Sequence, residues 1–270
     1  MKNLIYQCWK GILNEECKHS SKLMRAYAKK VGAEYRLDMN PDIASKLCDV
    51  PMYFEWLNPI LDESFEKYDK VLSVDLDVFP VKKLQENIFE QHTGEIGVCT
   101  EPFQGKYRAA TTIASHINGA NDEKWAKSVR KKWGCTLPRD KNGYLKVYNA
   151  GMVVFSQEGI QRAKKEWDPF QEYIDYMRRE GHGRFYTVDQ NYMHAMIFVH
   201  KMKYIEMNNG WNTQLHYVRG PLSLTEPIHD PRNKETKFVH VQMTGHQWNK
   251  EDLDTVVNKP QSKWAGRWNQ

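Results

Sequence analysis

The stretch Lys70-Val71-Leu72-Ser73-Val74-Asp75-Leu76-Asp77-Val78-Phe79-Pro80 reads as a β-strand that ends in acid. Its Val, Leu and Phe residues favour a pleated, buried strand, and the two-residue strand period predicts that Asp75 and Asp77 share one side. Pro80, which has no N–H to donate, stops the ladder. Carboxylates at the end of an apolar strand lie where an open α/β sheet binds its ligands.

Outward from this strand the pattern alternates. Asn3–Cys8 is a short apolar run of strand length, followed by a helix capped at Ser20 or Ser21 that carries Leu23, Tyr27 and Val31 up to Gly32. Ala33–Leu37 predicts a second strand. Met52, Trp56 and Ile60, beside Tyr53, Leu57 and Leu61, predict an amphipathic helix from Pro51. Gly94–Thr100 is a strand after the acidic one, so the first 100 residues alternate in the βαβ manner. That pattern indicates an α/β fold with a mostly parallel central sheet flanked by helices. Downstream, Gln104–Asn121 reads as a surface loop, and Asp122 opens a helix that runs through Trp125, Val129 and Trp133 to Gly134. Tyr144–Ser156 is a strong strand. The stripe Ile160, Ala163, Trp167, Phe170, Ile174 and Met177 is split into two helices at Pro169, with Asp168 as cap. Thr187–His200 is a helix and Phe238–Val241 a last strand, separated by a polar loop, Arg219–Thr236, long enough to act as a lid. With no repeat or linker, residues 1–270 read as a single domain, 251–270 being a C-terminal tail.

Composition narrows the function classes. Hydrophobic residues make up 40% and charged residues 27% of the 270, which excludes a disordered or collagen-like chain. No apolar run is long enough for a membrane span or a signal peptide, so the expectation is a soluble cytoplasmic protein. A net charge of +5 suits a phosphate-bearing ligand but falls short of a dedicated nucleic-acid binder. The basic-aromatic segments Lys124–Trp133 and Lys259–Trp268 read as a solvated helix face and a tail. Five cysteines with no CxxC pair predict reduced thiols, without a zinc site or disulfide framework.

Four places carry chemistry. Asp75 and Asp77 offer hard oxygens suited to Mn²⁺ or Mg²⁺ holding a diphosphate. The other Asp-x-Asp, Asp252-Leu253-Asp254, fits the acidic first turn of a helix. In Tyr148-Asn149-Ala150-Gly151-Met152, a glycine inside a strand marks either a bulge or a close approach of backbone to ligand. Thr187-Val188-Asp189-Gln190 is explained structurally as a capping box. His240 stands near the end of the last strand, where it is either structural or a nitrogen ligand for a divalent ion, and Lys250 can offset diphosphate charge.

In this order the landmarks resemble the retaining GT-A glycosyltransferases of the glycogenin and lipopolysaccharide galactosyltransferase type, over most of the chain. Asp75-Leu76-Asp77 is like that family's DxD, Asn149-Ala150-Gly151 like its NAG segment, Asp189-Gln190 like its DQ pair, and His240 like the His of its HxxGxxK signature. The spacing departs from the signature: Gly245 lies five residues after His240 and Lys250 five after Gly245, where the family uses three and three, and His246 is the alternative to His240. The resemblance implies Mn²⁺ or Mg²⁺ on Asp75, Asp77 and His240, and a nucleotide-diphosphate sugar, UDP preferred, held by Asp75, Asn149, Gly151, Asp189 and Lys250. It places Asp189 and Gln190 at the reacting sugar and the nucleotide at the end of the first strand, near Tyr6 and Gln7. The implied reaction moves a hexose to a saccharide or other hydroxyl acceptor, with retention. The acceptor face would be formed by the Gln104–Asn121 and Arg219–Thr236 loops. The rival readings are a glycosyltransferase whose acceptor is a nucleic-acid base and a metal-dependent nucleotidyl or phosphoryl transferase. The second lacks a GxxxxGK loop.

Overall fold

The structure, a computed structural model, describes residues 1–101, 117–215, 234–241 and 257–258. Six strands form a central sheet in the order β2-β1-β3-β6-β5-β7. They are β1 (Asn3–Trp9), β2 (Glu34–Met39), β3 (Lys70–Val74), β5 (Ile96–Thr100), β6 (Tyr148–Ser156) and β7 (Tyr204–Glu206). The β1–β2, β1–β3 and β5–β7 pairs are parallel, whereas β6 runs antiparallel to both its neighbours. A second sheet, ordered β4-β9-β8, consists of β4 (Val78–Pro80), β9 (Phe238–Val241) and β8 (Thr213–Leu215).

Successive side chains of the central strands alternate between two cores. Leu4, Tyr6, Val71, Val153 and Phe155 pack beneath the helices Gly119–Trp133, Gln157–Glu166, Phe170–Arg179 and Asp189–Val199. Ile5, Leu72, Val74, Met152 and Val154 face the helix Glu15–Lys30 and the second sheet. All five cysteines are free thiols. Among the described residues no helix is long and apolar enough to cross a membrane.

The acidic stretch is not one strand. β3 stops at Val74, Asp75 to Asp77 turn with Val78 N–H bonded to Asp75 C=O at 3.3 Å, and the chain re-enters the second sheet as β4. The two carboxylates thus sit on the hinge between the sheets. The segment from Pro51 is a series of 3₁₀ turns at Pro51–Tyr53, Glu55–Leu57 and Glu63–Phe65 around one short α-turn, Asn58–Leu61. Pro59 lacks the N–H that a regular helix would bond to residue 55. Burial decides that segment's path: Trp56, Leu57, Ile60 and Phe65 are all buried, each contributing roughly 1.5–3 kcal/mol, more than the lost helical bonds.

Several helix starts also differ from expectation. Asn14, not Ser20 or Ser21, caps the first helix, its side chain accepting from Cys17 N–H at 2.8 Å. The Ser20 hydroxyl donates to Val78 C=O instead. Asn118 caps the helix that Asp122 was expected to open, while Gly134 ends it as expected, with φ of +68°. Asp168 caps nothing; its carboxylate accepts from Trp133 Nε1. On the Gly119–Trp133 helix Lys124, Lys127, Arg130 and Lys131 are exposed while Trp125 and Val129 are buried, which fits a solvated basic face. Most of the two proposed acceptor loops, all of Asp252-Leu253-Asp254, and Lys259–Trp268 lie outside the described residues.

Candidate active site

Asp75, Asp77 and His240 converge at the hinge, with one ligand atom from each inside a 4.8 Å cluster. The backbone fixes all three. Asp75 N–H donates to Gly151 C=O at 2.9 Å and its own C=O accepts from Gln7 Nε2 at 3.0 Å, while Asp77 C=O accepts from Val241 N–H at 2.8 Å. His240 lies in the middle strand of the second sheet, opposite Val78 and Gln214, with its Nε2 3.2 Å from Asp77 Oδ1. Withdrawal from water pushes the Asp75 carboxyl up to about 7, reinforced by Asp77 and Asp189 and opposed by His240. Burial works against a charged His240 ring, but Asp77 and Asp75 outweigh it and hold its pKa above the usual value.

These groups suit a divalent ion. Two carboxylates and an imidazole supply two negative charges and a neutral nitrogen, a donor set for Mn²⁺ more than for Mg²⁺, which prefers oxygen alone. Space has been left beside them: a Cβ on Gly151 would lie 2.4 Å from His240 Cε1 and 2.9 Å from Asp75 Oδ2. Gly151 therefore lets the antiparallel strand pass behind the ligands. The ladder with β5 is also irregular there, jumping from Val98↔Val153 to Cys99↔Asn149, so bulge and close approach occur together.

A hydrogen-bonded chain leads away from His240. Its Nδ1 is 3.0 Å from Asn212 Oδ1, Asn212 Nδ2 donates to Asn149 Oδ1 at 2.8 Å, and Asn149 Nδ2 donates to Gln190 Oε1 at 3.1 Å. Gln190 Nε2 then donates to Glu101 Oε1 at 2.7 Å. Gln190 is thus not the return half of a capping box. The Thr187 hydroxyl bonds Arg184 C=O, and the N-cap position of the Asp189–Val199 helix is Val188, which has no side-chain bond to give. Beside the chain, Asp189 Oδ2 accepts from Trp56 Nε1 at 2.7 Å. Burial raises the Asp189 carboxyl to about 6 despite that bond and those from the helix N-terminal amides.

The structure therefore brings together Asp75, Asp77, Asn149, Gly151, Asp189, Gln190 and His240 of the residues singled out from the sequence. Gln7 stands behind Asp75, bonded also to Ser20 and Tyr35. Tyr6 is fully buried, its oxygen accepting from Asn58 Nδ2. Lys250 and His246 lie outside the described residues. Sequence reasoning missed Glu101, Asn212 and Trp56. Only Glu101 had a local signal, since it follows the apolar strand Ile96–Thr100 as Asp75 follows β3.

No protein-family profile matches the chain, and no curated protein does. Solved structures do. Mouse xyloside xylosyltransferase 1 in its apo form superposes with a TM-score of 0.53 at 9% identity, over 92% of this chain and 100% of that one. The galactosyltransferase LgtC, in complex with donor and acceptor sugar analogs, gives 0.55 at 12% identity, over 98% and 99%. An active-site mutant of LgtC gives 0.51, with the same identity and coverage. The hinge of two sheets carrying the acidic cluster thus belongs to an architecture shared with these enzymes, and the chain has the GT-A glycosyltransferase fold.

Proposed function

We propose that this chain is a metal-dependent glycosyltransferase that moves a hexose from a nucleotide-diphosphate sugar, UDP preferred, to a hydroxyl acceptor with retention. The convergence of Asp75, Asp77 and His240 at the hinge of a GT-A fold carries the reading. A bound Mn²⁺ would act as a Lewis acid on the leaving diphosphate.

The chain's own residues divide the remaining work. Asp75 and Asp77 bring negative charge to the ion, and Gly151 keeps the space behind it open. Asn149 and Gln190 form one hydrogen-bonded wall, and Asp189 is held against Trp56 beside it, where the donor sugar would lie. Asp189 and Gln190 are the residues assigned to the reacting sugar. Both lone pairs of Gln190 Oε1 are engaged, by Asn149 Nδ2 and by Ala150 N–H at 3.4 Å, so stabilising a cationic sugar would require one of them to be released. Gln7 supports Asp75, and the nucleotide is assigned to the end of β1 with Lys250 on the phosphates.

A screen of nucleotide-sugars for metal-dependent hydrolysis and thermal stabilisation tests the reading. A hexose donor of UDP is expected to stabilise the protein only with Mn²⁺ present. Stabilisation by none of the nucleotide-sugars would overturn it.

A further inference from the structure

An amide side chain fits a site in two orientations that exchange donor for acceptor. Around His240 the backbone removes this choice. Gly151 N–H can only donate, so the Asn149 atom 2.8 Å away is Oδ1. The Asn212 atom 2.8 Å from that oxygen is then the donor Nδ2, which leaves Asn212 Oδ1 facing His240 Nδ1 at 3.0 Å. An acceptor in that place requires a proton on Nδ1.

Resting on the metal-site reading above, we propose that Asn212 is a positioning residue that holds His240 with its proton on Nδ1, so that the lone pair of Nε2 serves the ion. Metal-binding histidines generally depend on such a partner for the other ring nitrogen. Here the partner is an amide whose orientation traces back to one backbone N–H. Asn212 is buried at 2% exposure at the end of the Asn209–Asn212 turn, so water does not compete for the contact. Without Asn212 the ring would be free to carry its proton on Nε2, 3.2 Å from Asp77 Oδ1, and the ion's nitrogen ligand would be blocked.

The test needs no nucleotide. Nitrogen-15 NMR of the metal-free, histidine-labelled protein, with His240 assigned by loss of its signals in His240→Gln, reports which nitrogen carries the proton. Nδ1 is expected to carry the proton of the neutral ring in the wild type, leaving Nε2 unprotonated. In Asn212→Leu the neutral ring should shift its proton to Nε2, and Mn²⁺ affinity should fall by about 10- to 100-fold. Asn212→Asp gives up the bond to Asn149 but retains an acceptor facing Nδ1, and should restore the Nδ1–H form. An unprotonated Nδ1 in the wild type, or Asn212→Leu with Nδ1–H and Mn²⁺ affinity both intact, would overturn the proposal. The wild-type spectrum decides even if Asn212→Leu does not fold. A protein that shows the Nδ1–H form and binds Mn²⁺ but no sugar nucleotide would refute the proposed function and leave this inference standing.

Discussion

A methyl group on Gly151 has nowhere to go, because His240 Cε1 would lie 2.4 Å away and Asp75 Oδ2 2.9 Å away. Gly151→Ala should therefore push both ligands apart and weaken Mn²⁺ binding by at least about tenfold, at an overpacking cost of about 1–3 kcal/mol in stability. Calorimetry with Mn²⁺ and denaturant unfolding measure the two effects, and unchanged affinity would remove Gly151 from the site. Asp75 adds a pH dependence. Its carboxyl is raised from 3.8 to about 7 by burial first and by Asp77 next, so in the metal-free protein the stability it contributes is full below pH 4 and is lost as pH rises through 7. Metal ligands bind deprotonated, so Mn²⁺ affinity should rise over the same range. Melting curves of metal-free wild type and Asp75→Asn from pH 4 to 8 check the first point: the variant should lack this pH-dependent loss.

Among the elements, the Asp189–Val199 helix shows how a site and a cap compete for the same residues. Thr187 and Gln190 have capping-box spacing, yet Gln190 is drawn into the strand network by Asn149 and Glu101. Gln190→Glu replaces the donor 2.7 Å from Glu101 by an oxygen, and two carboxylates so close must share a proton. The variant's melting temperature should thus fall further below wild type at pH 7 than at pH 4; an equal gap at both would refute the contact. The first helix offers a control remote from the chemistry. Asn14→Ala should cost about 1 kcal/mol in denaturant unfolding and leave Mn²⁺ affinity alone. Strands β1, β3, β5, β6 and β9 were legible because apolar runs of strand length leave little choice, whereas the three-residue strands β4, β7 and β8 are too short to show a pattern of their own. Helix starts were less so, since Asn14 and Asn118 lie in polar surroundings where Ser20 and Asp122 satisfy the same rules locally.

Across the whole molecule, the site exists because two sheets meet at one turn. Asp75 ends β3 of the central sheet, Asp77 leads into β4 of the second, and His240 comes from β9 opposite β4. Asp75, Asp77 and His240 could be read from the sequence because each stands at or beside a strand end, a position that one strand reveals by itself. Asn212 and Trp56 could not. Each takes its place through partners distant in the chain, His240 and Asn149 for Asn212 and Asp189 for Trp56, and no spacing encodes those meetings. A ligand that bridges the hinge should stabilise the folded chain by mass action, by about 2.7 kcal/mol at a hundred times its dissociation constant. The most direct measurement of the central claim is calorimetric titration of UDP into wild type and Asp77→Ala, with Mn²⁺ and with chelator. The account predicts binding to the wild type with Mn²⁺ and its loss both in chelator and in the variant; equal affinity in chelator, or undiminished Mn²⁺-dependent binding to Asp77→Ala, would contradict it.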